Sequence, residues 1–183
     1  MTRFFAFMAA ALIALPVFAA EMGDDGLHKA PWMRDTFKDL GDDLEEATAE
    51  GKRLLVLIEQ RGCIYCTKMH EEVFVVPEIE KTLEEEYFVV QINMFGDVEV
   101  TDFDGEAMSE KEIVRRWGAM FTPTMMFFPE QVDGSQHAGE AAVVTMPGAF
   151  EKGTTYHLLQ WVLEKGYEGD EPFQKYLARK VTQ

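Results

Sequence analysis

The apolar run Leu54-Leu55-Val56-Leu57-Ile58 shows no alternation, so it predicts a central strand covered on both faces rather than one with a solvent side. Tyr87-Phe88-Val89-Val90-Gln91-Ile92 predicts the next strand. Around these runs the period changes. Pro31 suits a first helical turn, and Trp32, Phe37, Leu40, Leu44 and Ala47 follow at near-helical spacing, which predicts an amphipathic helix from Pro31 to about Gly51. The segment Cys63 to Val73 has helical composition, and a second helix restarts at Pro77 and runs through Ile79 and Leu83 to Glu86. Ser109-x-x-Glu112 is a capping box for a helix carrying Ile113, Val114 and Trp117 and stopping at Gly118.

Further along, Phe121-Thr122-Pro123-Thr124-Met125-Met126-Phe127-Phe128 places a proline just before an apolar strand. Ala141 to Met146 predicts its antiparallel partner, joined by a polar turn around Asp133-Gly134. A helix from about Thr154 to Lys165 closes the domain, and residues 169–183, with Pro172 at a helix start and Phe173, Tyr176 and Leu177 on one face, form a docking helix. Residues 93–108 are polar, glycine-bearing and without helical period, and predict a small hairpin or an excursion loop set outside the core elements. The class is therefore α/β, a central mixed sheet flanked by helices, with one domain over 31–168, an insertion at 93–108 and a loose polar leader at 21–30.

Composition adds an address and removes some partners. Arg3, the apolar stretch from Phe4 to Val17 and the small residues at Val17-Phe18-Ala19 predict a signal peptide over 1–20, cleaved after Ala19 or Ala20, and hence a periplasmic protein. That segment holds one of the 17 basic residues and none of the 33 acidic ones, so its loss takes the net charge from −16 to −17. Nucleic acid and anionic membrane surfaces are poor partners for such a chain. A monomer is expected.

Both cysteines of the chain lie in Cys63-Ile64-Tyr65-Cys66, directly after the first strand. A thiol at a helix N-terminus meets unpaired backbone N–H groups and the positive end of the helix dipole, which favour thiolate, and Arg61 and Lys68 offer further positive charge. Cys66, one turn on, would face the packed side. Three other readings compete with redox use. Zinc wants four ligands, and His28, His70, His137 and His157 are scattered along the chain. A structural staple gains little from so short a loop, and inert buried thiols would be expected to pair in an oxidising compartment. Asp102-x-Asp104-Gly105 has the start of a calcium loop without its remaining ligands. Neither a metal nor another cofactor is expected.

Taken together, the order of elements, the Cys63–Cys66 pair and Thr122-Pro123 resemble the thioredoxin fold over nearly the whole exported chain. Asp102-Phe103-Asp104-Gly105, Arg115-Arg116-Trp117-Gly118 and Phe121-Thr122-Pro123-Thr124 look more narrowly like exported SoxW-type thioredoxins of the sulfur-oxidation system. The resemblance implies a Thr122–Pro123 peptide in the cis form beside the cysteines and a substrate groove formed by Thr122, Pro123, Ile64 and Tyr65. It also implies Cys63 as accessible nucleophile, Cys66 as shielded resolving thiol, a protein-disulfide substrate such as a sulfur-oxidation carrier protein, and a membrane electron donor. The chain departs from the pattern where Ile64-Tyr65 stands in place of glycine-proline and Leu57 in place of a buried acid. Glu59 is the candidate replacement in proton transfer, unless it faces solvent. The expected activity is reduction of a protein disulfide; the alternatives are a disulfide-forming oxidant or isomerase and a non-catalytic binding module. The 93–108 insertion is expected either to select partners or to be a tolerated surface feature.

Overall fold

The computed structural model describes residues 21–182, so the signal peptide assigned to 1–20 lies outside the described residues. A five-stranded mixed sheet forms the centre, in the order β3 (Met33–Arg34), β5 (Tyr87–Asn93), β4 (Arg53–Glu59), β8 (Thr124–Phe127), β9 (Val144–Pro147). β4 pairs with β5 in parallel and with β8 antiparallel, so both of its edges are occupied as well as both faces. That double burial is why its apolar run does not alternate.

Successive strand side chains go to opposite faces, and each face has its own core. Leu55, Leu57, Tyr87, Val89, Met125 and Phe127 pack under Met69, Val73, Ile79, Leu83 and Leu158, which come from the cysteine helix α2 (Ile64–Lys68) and its π-helical continuation (Met69–Val73), from α3 (Pro77–Glu86) and from α6 (Lys152–Leu163). Leu54, Val56, Ile58, Phe88, Val90 and Met126 pack under α1 (Leu40–Ala49), α4 (Glu110–Arg116) and α5 (Ala138–Ala141). Glu59 follows Leu57 by two residues, which sets it on the face of the cysteine helix. The last helix, α7 (Phe173–Val181), packs on α6 with Tyr176 buried.

Several elements depart from the expectations. The first long helix begins at Leu40, not Pro31. Asp39 caps it, accepting from the N–H groups of Gly41 and Asp42 at 3.0 and 3.2 Å, and Lys38 just before it has a positive φ of 59° that no helix continues through. Trp32 is buried beside an edge strand instead, and Phe37, which completed the apparent period, is fully exposed. The 21–30 segment is not loose: β1 (Glu21–Met22) pairs with β2 (His28–Lys29), and Leu27 between them is 2% exposed. The expected antiparallel partner of β8 starts at Val144 rather than Ala141, since 138–141 form α5.

The insertion is a hairpin of β6 (Glu99–Thr101) and β7 (Ala107–Ser109), and it does not sit outside the core. Val100 is fully buried, and Asp102, 2% exposed, accepts from Trp117 Nε1 at 2.8 Å, from the Ala138 N–H at 2.8 Å and from its neighbour Phe103 N–H at 2.9 Å. Arg116 bridges Asp102 and Asp104. The acidic motif and the Arg-Trp helix end thus hold each other, which gives these carboxylates a structural use in place of a cation.

Asp102→Ala strands the Trp117 and Ala138 donors and leaves Arg116 short of a partner, and is expected to lower stability by about 3 kcal/mol in urea unfolding, whereas Asp104→Ala at the rim should lose under about 1 kcal/mol. A second test concerns Asp43 in α1, which is 3% exposed and takes a hydrogen bond from Thr36 Oγ1 at 3.2 Å. Burial first, then repulsion from Asp39, Glu46 and Asp42, pushes its carboxyl up to about 7. A folded value above the unfolded one means the folded state binds more protons between about pH 4 and 7, so this group makes stability fall as pH rises through that window. Asp43→Asn should therefore raise the urea midpoint at pH 8, by about 1–2 kcal/mol in stability, and change it little at pH 4.

Candidate functional site

β4 delivers the chain to the turn Gln60-Arg61-Gly62, where Gly62 has a φ of 72°, a conformation in which a Cβ would be strained. Cys63 then stands as the N-cap of α2, with extended backbone, and the Cys66 N–H donates to its Sγ at 3.0 Å. The two cysteines form a disulfide, their Cα atoms 5.2 Å apart. Ile64 and Tyr65, between them, turn outward and are 74% and 58% exposed.

The strand order brings the Thr122–Pro123 loop to the same place. β8 pairs beside β4, and the residues just before it reach the disulfide: Thr122 Oγ1 lies 3.3 Å from Cys63 Sγ and donates to it, and the Thr122 carbonyl oxygen lies 3.5 Å away. The Thr122–Pro123 bond is cis. This loop covers Cys63 more than its helix-start position suggested, so Cys63 is 6% exposed and Cys66 fully buried in the oxidised state. Met120 and Phe121, which precede Thr122 in the chain, are exposed apolar side chains, as are Ile64 and Tyr65. Of the expected cationic help, Lys68 is engaged elsewhere, paired with Glu151 at 3.0 Å, and the stem of Arg61 lies against Gly26 of the N-terminal turn.

Under the cysteine helix lies a polar layer that sequence reasoning largely missed. Glu59 does not face solvent; it is 1% exposed. Its carboxylate lies 3.1 and 3.3 Å from His70 Nε2 and accepts from Gln91 Nε2 at 2.7 Å. The same Gln91 amide donates to the His28 carbonyl at 2.8 Å, and Gln91 Oε1 accepts from Lys29 Nζ at 2.7 Å. The His28 ring stacks on the His70 ring, centroids 4.6 Å apart and planes 10° apart, and Trp32 lies parallel on the same ring at 6.2 Å. His28 Nε2 is 3.3 Å from Thr67 Oγ1, which donates to the Cys63 carbonyl at 3.2 Å. Burial, then the neighbouring His70, push the His28 imidazole below its ordinary value.

His28 and His70 are thus not scattered but in contact. His28, Glu59 and His70 are a group whose ligand atoms all lie within 4.8 Å of one another, as in a metal site. The stack argues against that use in this arrangement, because an imidazole nitrogen holds its lone pair in the ring plane and two rings lying face to face do not aim those lone pairs at one point between them. The signal for His70 was present in the sequence, four residues after Cys66 and so on the same helical face. Nothing local marked His28.

The family model described as thioredoxin-like domain matches residues 40–142. Among solved structures, a thioredoxin-fold protein from Helicobacter pylori aligns with a TM-score of 0.55 at 17% identity, over 72% of this chain and 86% of its own. A thioredoxin from Thermus thermophilus aligns with a TM-score of 0.54 at 21% identity, over 70% of this chain and 86% of its own. At such identities they speak for the fold. No curated protein matches the sequence.

The two thiols should differ in reactivity once reduced, since only Cys63 borders the exposed rim and only its sulfur receives the helix N–H. Mass-spectrometric timing of iodoacetamide labelling near neutral pH is expected to find Cys63 modified first; faster labelling of Cys66 would reverse the assigned roles.

Proposed function

Because the chain belongs to the thioredoxin-like family, we propose that it is an exported thiol–disulfide oxidoreductase that chiefly reduces protein disulfides. The observation that carries this reading is the Cys63 sulfur, set at a helix start under one backbone N–H and held against the Thr122 loop. In the reduced protein the Cys63 thiolate attacks a substrate sulfur and forms a mixed disulfide; Cys66 then attacks Cys63, and the partner leaves with both of its sulfurs reduced. The exposed Ile64, Tyr65 and Phe121 offer apolar contact to the residues around the partner's cysteine. Thr122 and Pro123 line the place where an extended segment would lie.

Reduction rather than oxidation is favoured by the weak support for thiolate. A strong oxidant is one whose reduced form is stabilised, which takes several donors or a free cation beside the first sulfur. Here a single N–H and one hydroxyl reach it, and Lys68 is engaged by Glu151. Export to the periplasm, a monomeric state, a sulfur-oxidation carrier as substrate and a membrane donor that restores the dithiol belong to the same proposal, supported by the leader's composition and the SoxW-type motifs. Phe95 and Val98, exposed at the start of the insertion, are the side chains through which it would touch a partner.

Turnover is the direct check. With dithiothreitol as donor the protein is expected to reduce the insulin interchain disulfides, Cys63→Ala to be inactive, and Cys66→Ala to accumulate the mixed disulfide. A wild-type chain that binds unfolded protein yet reduces nothing would mark it as a binding module.

A further inference from the structure

Arg61 is the second residue of the turn that carries the chain from β4 into the cysteine helix, and its backbone is fixed there. The Cys63 N–H closes the turn on the Gln60 carbonyl at 3.3 Å, and Gly62 takes the third position with a φ of 72°, a conformation that tight turns give to glycine. The side chain is exposed, yet its stem is held as well. Gly26, at the turn of the N-terminal hairpin, lies so close that a Cβ there would stand 2.9 Å from Arg61 Cγ and 3.0 Å from Cδ, and its φ of 74° disfavours a side chain on separate grounds. The hairpin is itself anchored, since the His28 carbonyl accepts from Gln91 on β5 and Leu27 is buried. The guanidinium, in contrast, is unengaged. Its cationic neighbours are taken, Lys29 by Asp25 at 2.9 Å and Lys68 by Glu151 at 3.0 Å. Arg61 forms no ion pair and no hydrogen bond through its guanidinium among the described residues, although all 33 acidic residues of the chain lie beyond residue 20. It does not donate to the Cys63 sulfur either, whose contacts are the Cys66 N–H and Thr122.

We propose that Arg61 is a recognition cation of the site, selecting protein disulfides in which an aspartate or glutamate lies beside the cysteine that Cys63 attacks. This rests on the oxidoreductase reading above and names the class of partner it serves. β5, to which the hairpin is tied, and β8, which follows the Thr122 loop, flank β4 on opposite sides, so the support of the Arg61 stem and the Thr122 loop come to the disulfide turn from opposite sides. A partner segment laid along Thr122 with its cysteine at Cys63 carries the residues next to that cysteine toward the cation. Ile64 and Tyr65, exposed just beyond it in the chain, offer contact without charge. A guanidinium forks onto a carboxylate through two parallel N–H···O bonds, and a stem already ordered loses little further freedom in doing so. The field of the whole chain acts the other way, since a net charge of −16 repels acidic proteins as wholes. Selection is thus for an acid next to the cysteine and not for an acidic partner. The hairpin, which the sequence presented as a leader, thereby becomes part of the site.

Three blocked cystine peptides, alike except that the residue before each cysteine is glutamate, glutamine or lysine, provide the test. The full exported chain, reduced, is mixed with each, and its oxidation is timed by acid quenching and mass spectrometry. The readout is the ratio of the parent's rate to that of Arg61→Gln on the same peptide, which cancels the peptides' own differences in thiol acidity. That ratio is expected to be about fivefold higher for the glutamate peptide than for the glutamine peptide, the upper end for an exposed charged pair, and lower still for the lysine peptide. The glutamate preference should shrink as salt is raised from about 0.05 M to about 0.5 M. Arg61→Lys should keep part of it. Gly26→Ala, whose Cβ displaces the stem while every charge stays, should lose much of it, and a parent-sized preference in that variant overturns the hairpin's part in holding the cation. A ratio equal across the three peptides, as when Arg61 acts on the Cys63 thiol instead of on the partner, overturns the proposal alone. A parent chain that none of the peptides oxidises refutes the oxidoreductase reading, and the inference falls with it.

Discussion

The hydrogen bond from the Cys66 N–H to the Cys63 sulfur ties the end of the central strand to the start of the cysteine helix. It exists only because a strand ends and a helix begins within four residues, and both must be immobile for the sulfur to stay at the helix start. β4 supplies the first condition. It is flanked by β5 and β8 and covered by two separate apolar cores, so its end cannot shift without disturbing both. The turn through Gly62 and the burial of Cys66, Met69, His70 and Val73 supply the second. Thr122 reaches the same sulfur because the strand it precedes is the antiparallel neighbour of β4.

Beneath that junction the protein departs from an all-apolar core. Glu59 sits two residues beyond Leu57 on the same face, and its oxygens are met by His70 and Gln91 rather than by water. Removing any one of these partners would leave a buried polar group without its hydrogen bond, so the layer holds together as a unit. It also joins four stretches of chain: the N-terminal hairpin, the end of β4, the cysteine helix and β5. Asp102 plays a parallel part on the other face, where it ties the insertion hairpin to the ends of α4 and α5 through Trp117 and Ala138. In both places one buried carboxylate organises backbone that apolar packing alone would leave loosely registered.

What the sequence revealed follows from how local each signal was. β4, β5, the cysteine helix, α3 and the Ser109–Glu112 cap are each encoded within a dozen residues and are found where expected. Cys63 and Cys66 were legible because their chemistry lies in their spacing; Thr122 and Pro123 were legible only through a family resemblance, since nothing in a single proline announces which strand will pair beside it. The start of α1 was misread because Trp32 and Phe37 mimic a helical period that Lys38 and the Asp39 cap interrupt. The meeting of Glu59 and His70 with Gln91 and His28 in one layer was illegible for a different reason. Its members are dispersed from 28 to 91 and converge only after the sheet has formed, and a lone histidine in a polar leader carries no trace of the ring it will stack on.

A reducing role for the Cys63–Cys66 pair, proposed on a sulfur met by one backbone N–H and one hydroxyl and on the engagement of Lys68 by Glu151, makes a definite demand on its redox chemistry. The reduction potential of the disulfide, read by equilibration with graded mixtures of reduced and oxidised glutathione or dithiothreitol, tests this most directly. A reductant should show a value near that of thioredoxin, about −270 mV. A value near −120 mV, the range of a dedicated disulfide-forming oxidant, would contradict it.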